Sequence, residues 1–351
     1  GSDVEIRDKN DILLGDITTD FNRFTQLNQI YIEAENGTIT MDGTIIARGN
    51  DVNDDNPNTF EAIGKVFLRA SDGAFQTIRG RIISDELIVA GTGDFQLNGP
   101  NVLLDLWHLG GGTPDDPSGG LSAEIVGNLS FHNTESVTFS PERFNTIQEA
   151  DFPFIIDATE INKMPDGSMG NLTITTEDKN LIQNSREHDA GTRRVPVKVD
   201  GITTFDVGAA DIILDFGDDL ITGKNDNDWN GLFVTSATNG TFVDVNDLEV
   251  NDINITNNAR FQVENRNMIL LDGEIVVGNN VLFQSDEGLE QLRGFVDAPE
   301  MMISGFGNFI FRTGNQLGDV DNNGLIAADI TDGNLIFGND FGLETANLTS
   351  N

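Results

Sequence analysis

The residues most suited to chemistry form a short acidic segment late in the sequence. Asp319, Asp321 and Asn323 alternate along the chain and are followed by a glycine, which gives the pattern D-x-D-x-N-G. Alternating oxygen ligands before a turn-forming glycine are typical of loops that bind Ca²⁺. Asp329 is the next carboxylate, but it falls one residue before the usual twelfth position, and no bidentate glutamate follows it. These four residues predict a calcium site; the alternative is an Asp/Asn-rich corner without an ion.

Two tryptophans are candidates for contact with a sugar. Trp107 lies beside the glycine-rich segment 110–120, and Trp229 lies in the sequence DNDWNG. Segments this rich in Gly, Asn and Asp are typical of loops. An exposed indole ring can cover the apolar face of a ligand while its N–H donates a hydrogen bond. We therefore predict that Trp107 and Trp229 are exposed ligand-binding residues. The alternative, and the commoner role, is that each anchors its loop to the protein body.

Polysaccharide cleavage is a third chemistry that the residues permit. It needs carboxylates and a basic residue that face one groove. The densest basic group and the residues beside it are Glu187, His188, Asp189, Arg193, Arg194 and Lys198. Because the chain holds 58 acidic residues, some carboxylates fall near one another by chance. A solvated loop with local charge pairing is the favoured interpretation, so no catalytic residue is assigned.

The composition narrows the range of partners. The chain has 58 Asp and Glu against 20 Lys and Arg, which gives a formal net charge of -38. Such a surface repels phosphate backbones and anionic lipid headgroups, so nucleic acid and membrane surfaces are disfavoured, whereas divalent cations are compatible. No apolar run is long enough to predict membrane insertion, and the lack of cysteine excludes disulfides. The simpler interpretation of the acidity is that it keeps a strand-rich protein soluble.

Short apolar pairs between residues 200 and 287 predict the elements that position these candidates. The pairs are Phe242/Val245, Leu248/Val250, Ile253/Ile255, Phe261/Val263, Ile269/Leu271, Ile275/Val277 and Val281/Phe283. Each fits one strand with alternating inward and outward side chains, followed by a corner. Three such steps make about 20 residues, the length of one coil of a β-solenoid. A single coil buries too little apolar surface to offset its ordering, so the coils must stack.

Recurrent corners and loop-like segments organise the rest of the chain. The motif Gly-Asn-apolar precedes strand patterns at Gly127, Gly170, Gly307 and Gly333, and each copy predicts a tight corner. Three segments dense in Gly, Pro, Asn and Asp predict inserted loops, at residues 51–58, 110–120 and 223–231.

The domain prediction has three parts. We predict irregular solenoid coils with loop insertions over residues 1–199 and regular coils over residues 200–315. Residues 316–351 are predicted to form a terminal coil or cap that contains the calcium loop. Short helices are predicted at 141–148 and 287–293.

Residues 200–223, DGITTFDVGAADIILDFGDDLITG, and the strands over 231–261 resemble the repeat region of filamentous-haemagglutinin-like exoproteins. These are the large adhesins of bacterial two-partner secretion. The resemblance lies in the order of a G-x-T-T-F strand, a short strand, a glycine-rich corner and alternating V-x-V and I-x-I strands. It implies a right-handed parallel β-helix that is displayed at or shed from the cell surface. It implies no functional residue, because the matching positions are strand and corner positions.

These features together predict an all-β, right-handed parallel β-helix with about three short strands per coil. The expected function is non-catalytic: a secreted or surface-displayed bacterial adhesin or filament segment, a stiff rod whose loops bind a cell-surface glycan or protein receptor. Calcium is the only cofactor expected. One alternative is a polysaccharide-active β-helix enzyme or a phage-tailspike-like depolymerase. Another is a self-assembling surface fibre subunit, because open coil ends can pair head to tail.

Overall fold

The computed structural model describes residues 3–19, 28–47, 64–103, 118–139, 142–143, 155–156, 159–183, 186–188, 191–193, 196–215, 227–264, 268–312, 315–317, 325–331 and 333–337. The chain forms two compact units, Gly1–Val195 (unit 1) and Pro196–Asn351 (unit 2). All regular elements in the described residues are β-strands. No helix long and apolar enough to cross a membrane occurs in this part of the chain.

Unit 1 consists of short strands. The strands are β1 (Val4–Asp8), β2 (Ile12–Leu14), β3 (Ile17–Thr18), β4 (Asn28–Ala34), β5 (Ile39–Met41), β6 (Thr44–Ala47), β7 (Gly64–Ala70), β8 (Ala74–Gln76), β9 (Arg81–Ser84), β10 (Glu86–Thr92), β11 (Phe95–Leu103), β12 (Ser118–Val126), β13 (Leu129–Asn133), β14 (Ser136–Phe139), β15 (Glu142–Arg143), β16 (Ile155–Ile156), β17 (Thr159–Asn162), β18 (Leu172–Thr176), β19 (Leu181–Gln183), β20 (Arg186–His188) and β21 (Gly191–Arg193).

Most strands of unit 1 stack in parallel columns. Each successive coil adds one strand to a column. The first column contains β1, β4, β7, β10 and β12, the second β2, β5, β8, β11 and β13, and the third begins with β3, β6 and β9. One position of the first column is occupied successively by Ile6, Ile32, Leu68, Val89 and Ala123. The coils are therefore 26, 36, 21 and 34 residues long. The coil lengths in unit 1 thus differ by up to 15 residues.

The strands β4, β7 and β10 in the first column of unit 1 are buried on both faces for most of their length. The ring of Tyr31 in β4 stacks on the ring of Phe67 in β7, with their centroids 5.0 Å apart. The hydroxyl group of Tyr31 donates a 2.9 Å hydrogen bond to Oε2 of Glu33, and Arg69 lies 3.2 Å from Oε1 of the same carboxylate. Burial, and then the hydrogen bond with Glu33, raise the pKa of Tyr31 above its ordinary value. Tyr31 therefore stays protonated and serves as a packing residue.

Unit 2 contains fewer and longer strands. They are β22 (Val197–Asp206), β23 (Asp211–Leu214), β24 (Asp228–Ala237), β25 (Asn239–Asp244), β26 (Leu248–Ile255), β27 (Ala259–Val263), β28 (Ile269–Val277), β29 (Asn280–Ser285), β30 (Gly288–Ala298), β31 (Glu300–Phe306), β32 (Asn308–Phe311), β33 (Gln316–Leu317), β34 (Leu325–Thr331) and β35 (Leu335–Phe337).

Unit 2 repeats the parallel winding with shorter coils. Leu248, Ile269, Leu289, Phe309 and Leu335 occupy one position in successive coils, which are 21, 20, 20 and 26 residues long. All fourteen residues of the predicted apolar pairs are buried. Each unit is thus a stack of parallel coils, and the predicted fold class, an all-β parallel β-solenoid, is confirmed.

The long strands supply two of the three straight segments in each coil. In β26 the register with β28 shifts between Val250 and Ile253, so the strand bends there. The β27 strand supplies the third segment and pairs with β25 and β29. The three short strands predicted for each coil therefore correspond to these three straight segments, two of which belong to one bent strand.

A column of aromatic rings fills the interior of unit 2. The rings of Phe242 and Phe261 lie 5.4 Å apart at 11°, and those of Phe261 and Phe283 lie 5.6 Å apart at 18°. Trp229 meets Phe242 edge-on at one end of this stack, and Phe311 continues the column beyond Phe283. Because neighbouring strands are about 4.8 Å apart, rings at equivalent positions must contact one another. The phenylalanine-rich composition is explained here by this dry interior.

Two Gly-Asn motifs form stacked corners of unit 2. Gly307 has a φ of 82°, and a Cβ atom there would lie 2.2 Å from the carbonyl oxygen of Glu287 in the preceding coil. Gly333 follows in the next coil, where a Cβ atom would lie 1.6 Å from the carbonyl oxygen of Gly307. Glycine is required at both positions because the coils approach each other through their backbones.

Both helix predictions are wrong where the structure describes the residues. Of residues 287–293, all but the first lie in β30, where Leu289 and Gln291 pair with Ile269 and Leu271 of the preceding coil. Of residues 141–148, Glu142 and Arg143 form an antiparallel pair with Ile155–Ile156, and the others lie outside the described residues. Pairing with a neighbouring strand outweighs the weak local preference for a helix.

The predicted loops lie largely outside the described residues. This holds for residues 51–58, 110–117 and 223–226. Residues 118–120 belong to β12 and residues 228–231 to β24, so the second and third loops are shorter than predicted. The boundary between the compact units falls at Val195/Pro196, four residues before the boundary predicted after residue 199.

We expect the substitution Phe261→Ala to lower the free energy of unfolding by about 3–5 kcal/mol, because it leaves a cavity between two stacked rings. Phe306→Ala is the matched control, since Phe306 is 49% exposed in the same unit. Urea denaturation should show a change below about 1 kcal/mol for the control. Equal effects of the two substitutions would contradict the aromatic column.

We expect Gly307→Ala to destabilise the protein by about 1–3 kcal/mol, because the new side chain meets a positive φ and the backbone of the preceding coil. Gly15→Ala serves as the control, since no heavy atom lies within 4 Å of a Cβ atom built there. Thermal melting of both variants checks this expectation. A Gly307 variant as stable as the control would argue against close backbone contact at the corner.

Candidate functional site

Of the four predicted calcium ligands, Asp329 is the one that lies in the described part of the chain. Asp319, Asp321 and Asn323 lie outside the described residues. Asp329 lies in β34, where it pairs with Ser304 of the preceding coil and its side chain is exposed. Within the described ranges, no group of three or more His, Asp and Glu side chains is arranged to hold a metal ion. The calcium site stays a prediction.

The two predicted ligand-binding tryptophans have different outcomes. Trp107 lies outside the described residues. Trp229 lies in β24 and is 0% exposed, so its prediction as an exposed aromatic residue is wrong. Its ring occupies the inward position next to Phe242, and its backbone N–H donates a 2.8 Å hydrogen bond to Asp244. Side chains along β24 alternate between the two faces of the strand, and Trp229 falls on the inward face. In the core, no ligand can stack on its ring.

The basic segment forms an antiparallel hairpin rather than a pair of adjacent coils. Strands β20 and β21 pair Glu187 with Thr192 and Arg186 with Arg193. The side chains of this hairpin are outside the described set, as are residues Asp189 and Arg194. Lys198 pairs with Asp228 in the neighbouring coil of unit 2. No catalytic arrangement follows from these placements.

Corner aspartates bind the backbone of the following coil. In four of them, Oδ1 accepts a hydrogen bond from a backbone N–H 21 to 28 residues later in the chain. The pairs are Asp11 with Thr38 (2.9 Å), Asp16 with Thr44 (2.8 Å), Asp247 with Met268 (2.7 Å) and Asp252 with Glu274 (3.0 Å). Charge-assisted hydrogen bonds of this kind are stronger than neutral ones. Part of the acidic composition therefore holds consecutive coils together.

Asparagines at one corner of unit 2 form a ladder. Oδ1 of Asp211 accepts hydrogen bonds from the backbone N–H and the side-chain amide of Asn239, at 3.1 and 2.8 Å. Oδ1 of Asn239 in turn accepts from both groups of Asn258, each at 3.2 Å. Oδ1 of Asn258 accepts from the amide of Asn280 at 3.2 Å. One polar column thus crosses four coils.

Buried asparagines, which the sequence analysis did not identify, support other corners. Each has a fully or almost fully buried side chain whose Oδ1 accepts a backbone N–H from an earlier strand. The pairs are Asn101 with Ile82 (2.9 Å), Asn133 with Leu103 (2.9 Å), Asn227 with Val197 (2.9 Å) and Asn315 with Val296 (2.7 Å). Their identity as asparagine is the only sequence signal, and it does not distinguish them from exposed loop residues.

Asp244 is a carboxylic acid enclosed in the core of unit 2. Its side chain is 0% exposed, and it accepts backbone hydrogen bonds from Trp229 at 2.8 Å and Asn246 at 2.7 Å. Burial raises the pKa of Asp244 well above its ordinary value, and the nearby carboxylate of Asp228 adds to this effect. Burial outweighs the two backbone hydrogen bonds, which favour the ionised form.

An open groove crosses the outer face of β25, β27, β29 and β31. Its volume is about 490 Å³. Thr241, Arg260, Leu282 and Met302 occupy equivalent outward positions in four successive coils and form one wall. We call this feature the unit 2 groove. It combines an apolar strip with a cationic group on a rigid sheet.

The polar wall of the unit 2 groove is formed by amides. Asn258 and Asn280, two members of the asparagine ladder, line it beside Arg260. Nη2 of Arg260 donates a hydrogen bond to Oε1 of Gln262, and Nε2 of Gln262 donates to Glu264 at 2.7 Å. The sequence contained a signal for this groove, because Leu282 is an outward apolar residue between buried ones. The partners across coils could not be assigned without the register.

Comparisons of the chain with protein-family models, curated proteins and solved structures gave no match. The fold and the geometry of the unit 2 groove therefore carry the functional argument. The resemblance to filamentous-haemagglutinin-like exoproteins stays a prediction.

We expect Asp244 to make stability depend on pH. The pKa of aspartate in the unfolded chain is about 3.9, and the pKa of Asp244 in the folded protein is higher. At a pH between these two values, Asp244 keeps its proton in the folded protein and loses it in the unfolded chain. This contribution to stability is present below about pH 4 and is lost as the pH rises through the folded pKa. Asp244→Asn should remove this dependence in urea unfolding measured across that window.

Asp272→Asn provides the control with the opposite sign. The hydrogen bond from Arg293 lowers the pKa of Asp272, so its contribution is present above about pH 4 and lost on acidification. If the difference between the wild-type protein and the Asp244 variant did not change with pH, burial would not control the ionisation of Asp244.

Proposed function

We propose that this chain is a non-catalytic segment of an extracellular bacterial adhesin, in which the solenoid presents a binding surface. The unit 2 groove is the observation that carries the proposal. Its polar lining consists of amides, a hydroxyl group and a guanidinium group, and these groups can hold a ligand through hydrogen bonds. General acid–base catalysis instead needs groups that exchange protons near the working pH.

Rigidity supports a binding role. The groove residues lie on four hydrogen-bonded parallel strands, above the stacked rings of Phe242, Phe261 and Phe283. A side chain fixed on such a sheet loses little further freedom when a ligand binds, which favours affinity. A cell-surface glycan or protein receptor is the proposed partner.

The proposed location is the bacterial surface or the surrounding medium. The formal net charge of -38 favours solubility, and a chain without cysteine tolerates an oxidising environment without forming unwanted disulfides. The resemblance of residues 200–223 to filamentous-haemagglutinin-like repeats points to the same location. Surface display would place a regular, stiff structure where a receptor can reach its outer face.

We expect the labelled protein to bind target cells saturably and to release no reducing or unsaturated ends from polysaccharides. Met302→Glu should weaken cell binding by about tenfold or more, because it places a carboxylate in the groove. Met169→Glu is the matched control, since Met169 is also an exposed methionine (55% against 39% for Met302) but lies in unit 1. This control should bind as the wild-type protein does.

Other outcomes would favour the alternatives. Time-dependent release of sugar ends would support a polysaccharide-active enzyme. Concentration-dependent fibres in electron micrographs, without cell binding, would support a self-assembling subunit. Equal loss of cell binding in both methionine variants would remove the groove from the proposal.

A further inference from the structure

We propose that the unit 2 groove binds a sugar that carries a single carboxylate, with Arg260 as the group that binds it. This inference rests on the proposed role of the groove as a binding surface and names the chemical class of its ligand. Three properties of the groove lead to it: a cation without an acidic partner, two unsatisfied polar atoms, and an apolar strip.

Among the described residues, Arg79, Arg81 and Arg260 make no ion pair, and of these three only Arg260 lines the unit 2 groove. Four other arginines are paired. Those arginines contact carboxylates, as Arg7 does with Glu5 and Glu33, Arg69 with Glu33, Arg293 with Asp272 and Arg312 with Glu290. Among the described residues, Arg260 makes no ion pair and bonds the neutral amide of Gln262 instead. The chain has 58 acidic residues for 20 basic ones, so acidic partners are abundant. A cation kept away from them in a groove is available for an external anion.

A carboxylate is the anion that suits this guanidinium group. The group is planar, always charged and carries five N–H donors, of which the bond to Gln262 uses one. A carboxylate can accept two parallel hydrogen bonds from it. Because Arg260 lies partly buried on the groove wall, such a pair would be less weakened by salt than a fully exposed one.

Two polar atoms of the groove residues lack hydrogen-bond partners within the described structure. They are Nε of Arg260 and Oδ1 of Asn280. Both atoms are shielded from solvent, so leaving them unpaired costs free energy that a modest side-chain shift toward a ligand would recover. One atom is a donor and the other an acceptor. Sugar hydroxyls can accept a hydrogen bond from the donor and donate one to the acceptor.

The apolar strip completes the match to a sugar ring. Leu282 and Met302 lie side by side on β29 and β31, and Met302 is 39% exposed. Strand spacing sets them about 4.8 Å apart, close to the width of a pyranose ring. The C–H face of the ring can cover these side chains while its hydroxyls meet the amides of Asn258 and Asn280.

The charges around the groove limit the ligand to one carboxylate. Glu264 is linked to Arg260 through Gln262, and Glu300 follows Asn280 in the next coil. A polyanion that ran along the strands would face these carboxylates as well as the formal net charge of -38. Like charges at this range repel unless salt screens them. A single acidic sugar, at the end of a glycan or within a neutral chain, avoids this repulsion.

The test compares two sugars that differ only in the carboxylate. We expect methyl β-glucuronide to shift backbone amide resonances of β25, β27 and β29 and to bind about tenfold or more tightly than methyl β-glucoside, which corresponds to about 1.4 kcal/mol. Arg260→Gln should reduce glucuronide binding to the level of the glucoside. Arg293→Gln is the matched control, because it removes the same charge from an exposed arginine of unit 2. It should change affinity less than about twofold.

The ligand and the general function can fail separately. Equal binding of the two sugars, or full binding by Arg260→Gln with an unchanged melting temperature, would overturn carboxylate recognition. If neither sugar bound while Met302→Glu still weakened cell binding, the inference would be overturned and the adhesin proposal would stand. Glucuronide binding that depends on Arg260, in a protein that binds no cells, would uphold the inference and reject the adhesin. A polyglucuronate that binds more tightly than the single sugar at low salt would contradict the restriction to one carboxylate.

Discussion

Hydrogen bonding between consecutive coils is the constraint on which the structure depends. A strand of one coil leaves its backbone N–H and C=O groups unsatisfied until the next coil supplies partners. The straight segments meet this need through parallel pairing, and the corners meet it through side chains. Asp247 and Asp252 accept N–H groups of the following coil, and Asn315 accepts one from an earlier strand. Side chains of this kind therefore complete at the corners the hydrogen bonding that strand pairing provides along the straight segments.

The same stacking converts residues that are distant in sequence into columns. Inside unit 2 the column consists of phenylalanine rings, and outside it contains Arg260, Leu282 and Met302. The inner and outer columns have the same spacing, because the same paired strands carry both. A groove built in this way is preorganised, which suits recognition of a ligand better than a flexible loop does. The proposed binding surface therefore lies on the sheet and not in the predicted loops.

Local alternation predicted the fold of unit 2 well. Pairs such as Ile275/Val277 mark inward positions on a strand whatever the strand pairs with, so their burial followed from the sequence. The predictions failed where local composition was misleading. Trp229 lies in a segment rich in Asn and Asp, yet β24 continues through it and buries the ring. Residues 288–293 have a weak helical pattern, but their neighbours in β28 pair with them as a strand.

The sequence by itself determined which side chains point inward, because alternation along a strand depends only on backbone geometry. It also determined that single coils cannot be stable and must stack. Only the tertiary structure decided which residues become neighbours across coils. Coil lengths vary from 20 to 36 residues between registered positions, so no fixed period aligns Arg260 with Leu282 or encloses Asp244 in the core beside the backbone of Trp229. The groove and its charge arise from that register, which is set by the packing of whole coils.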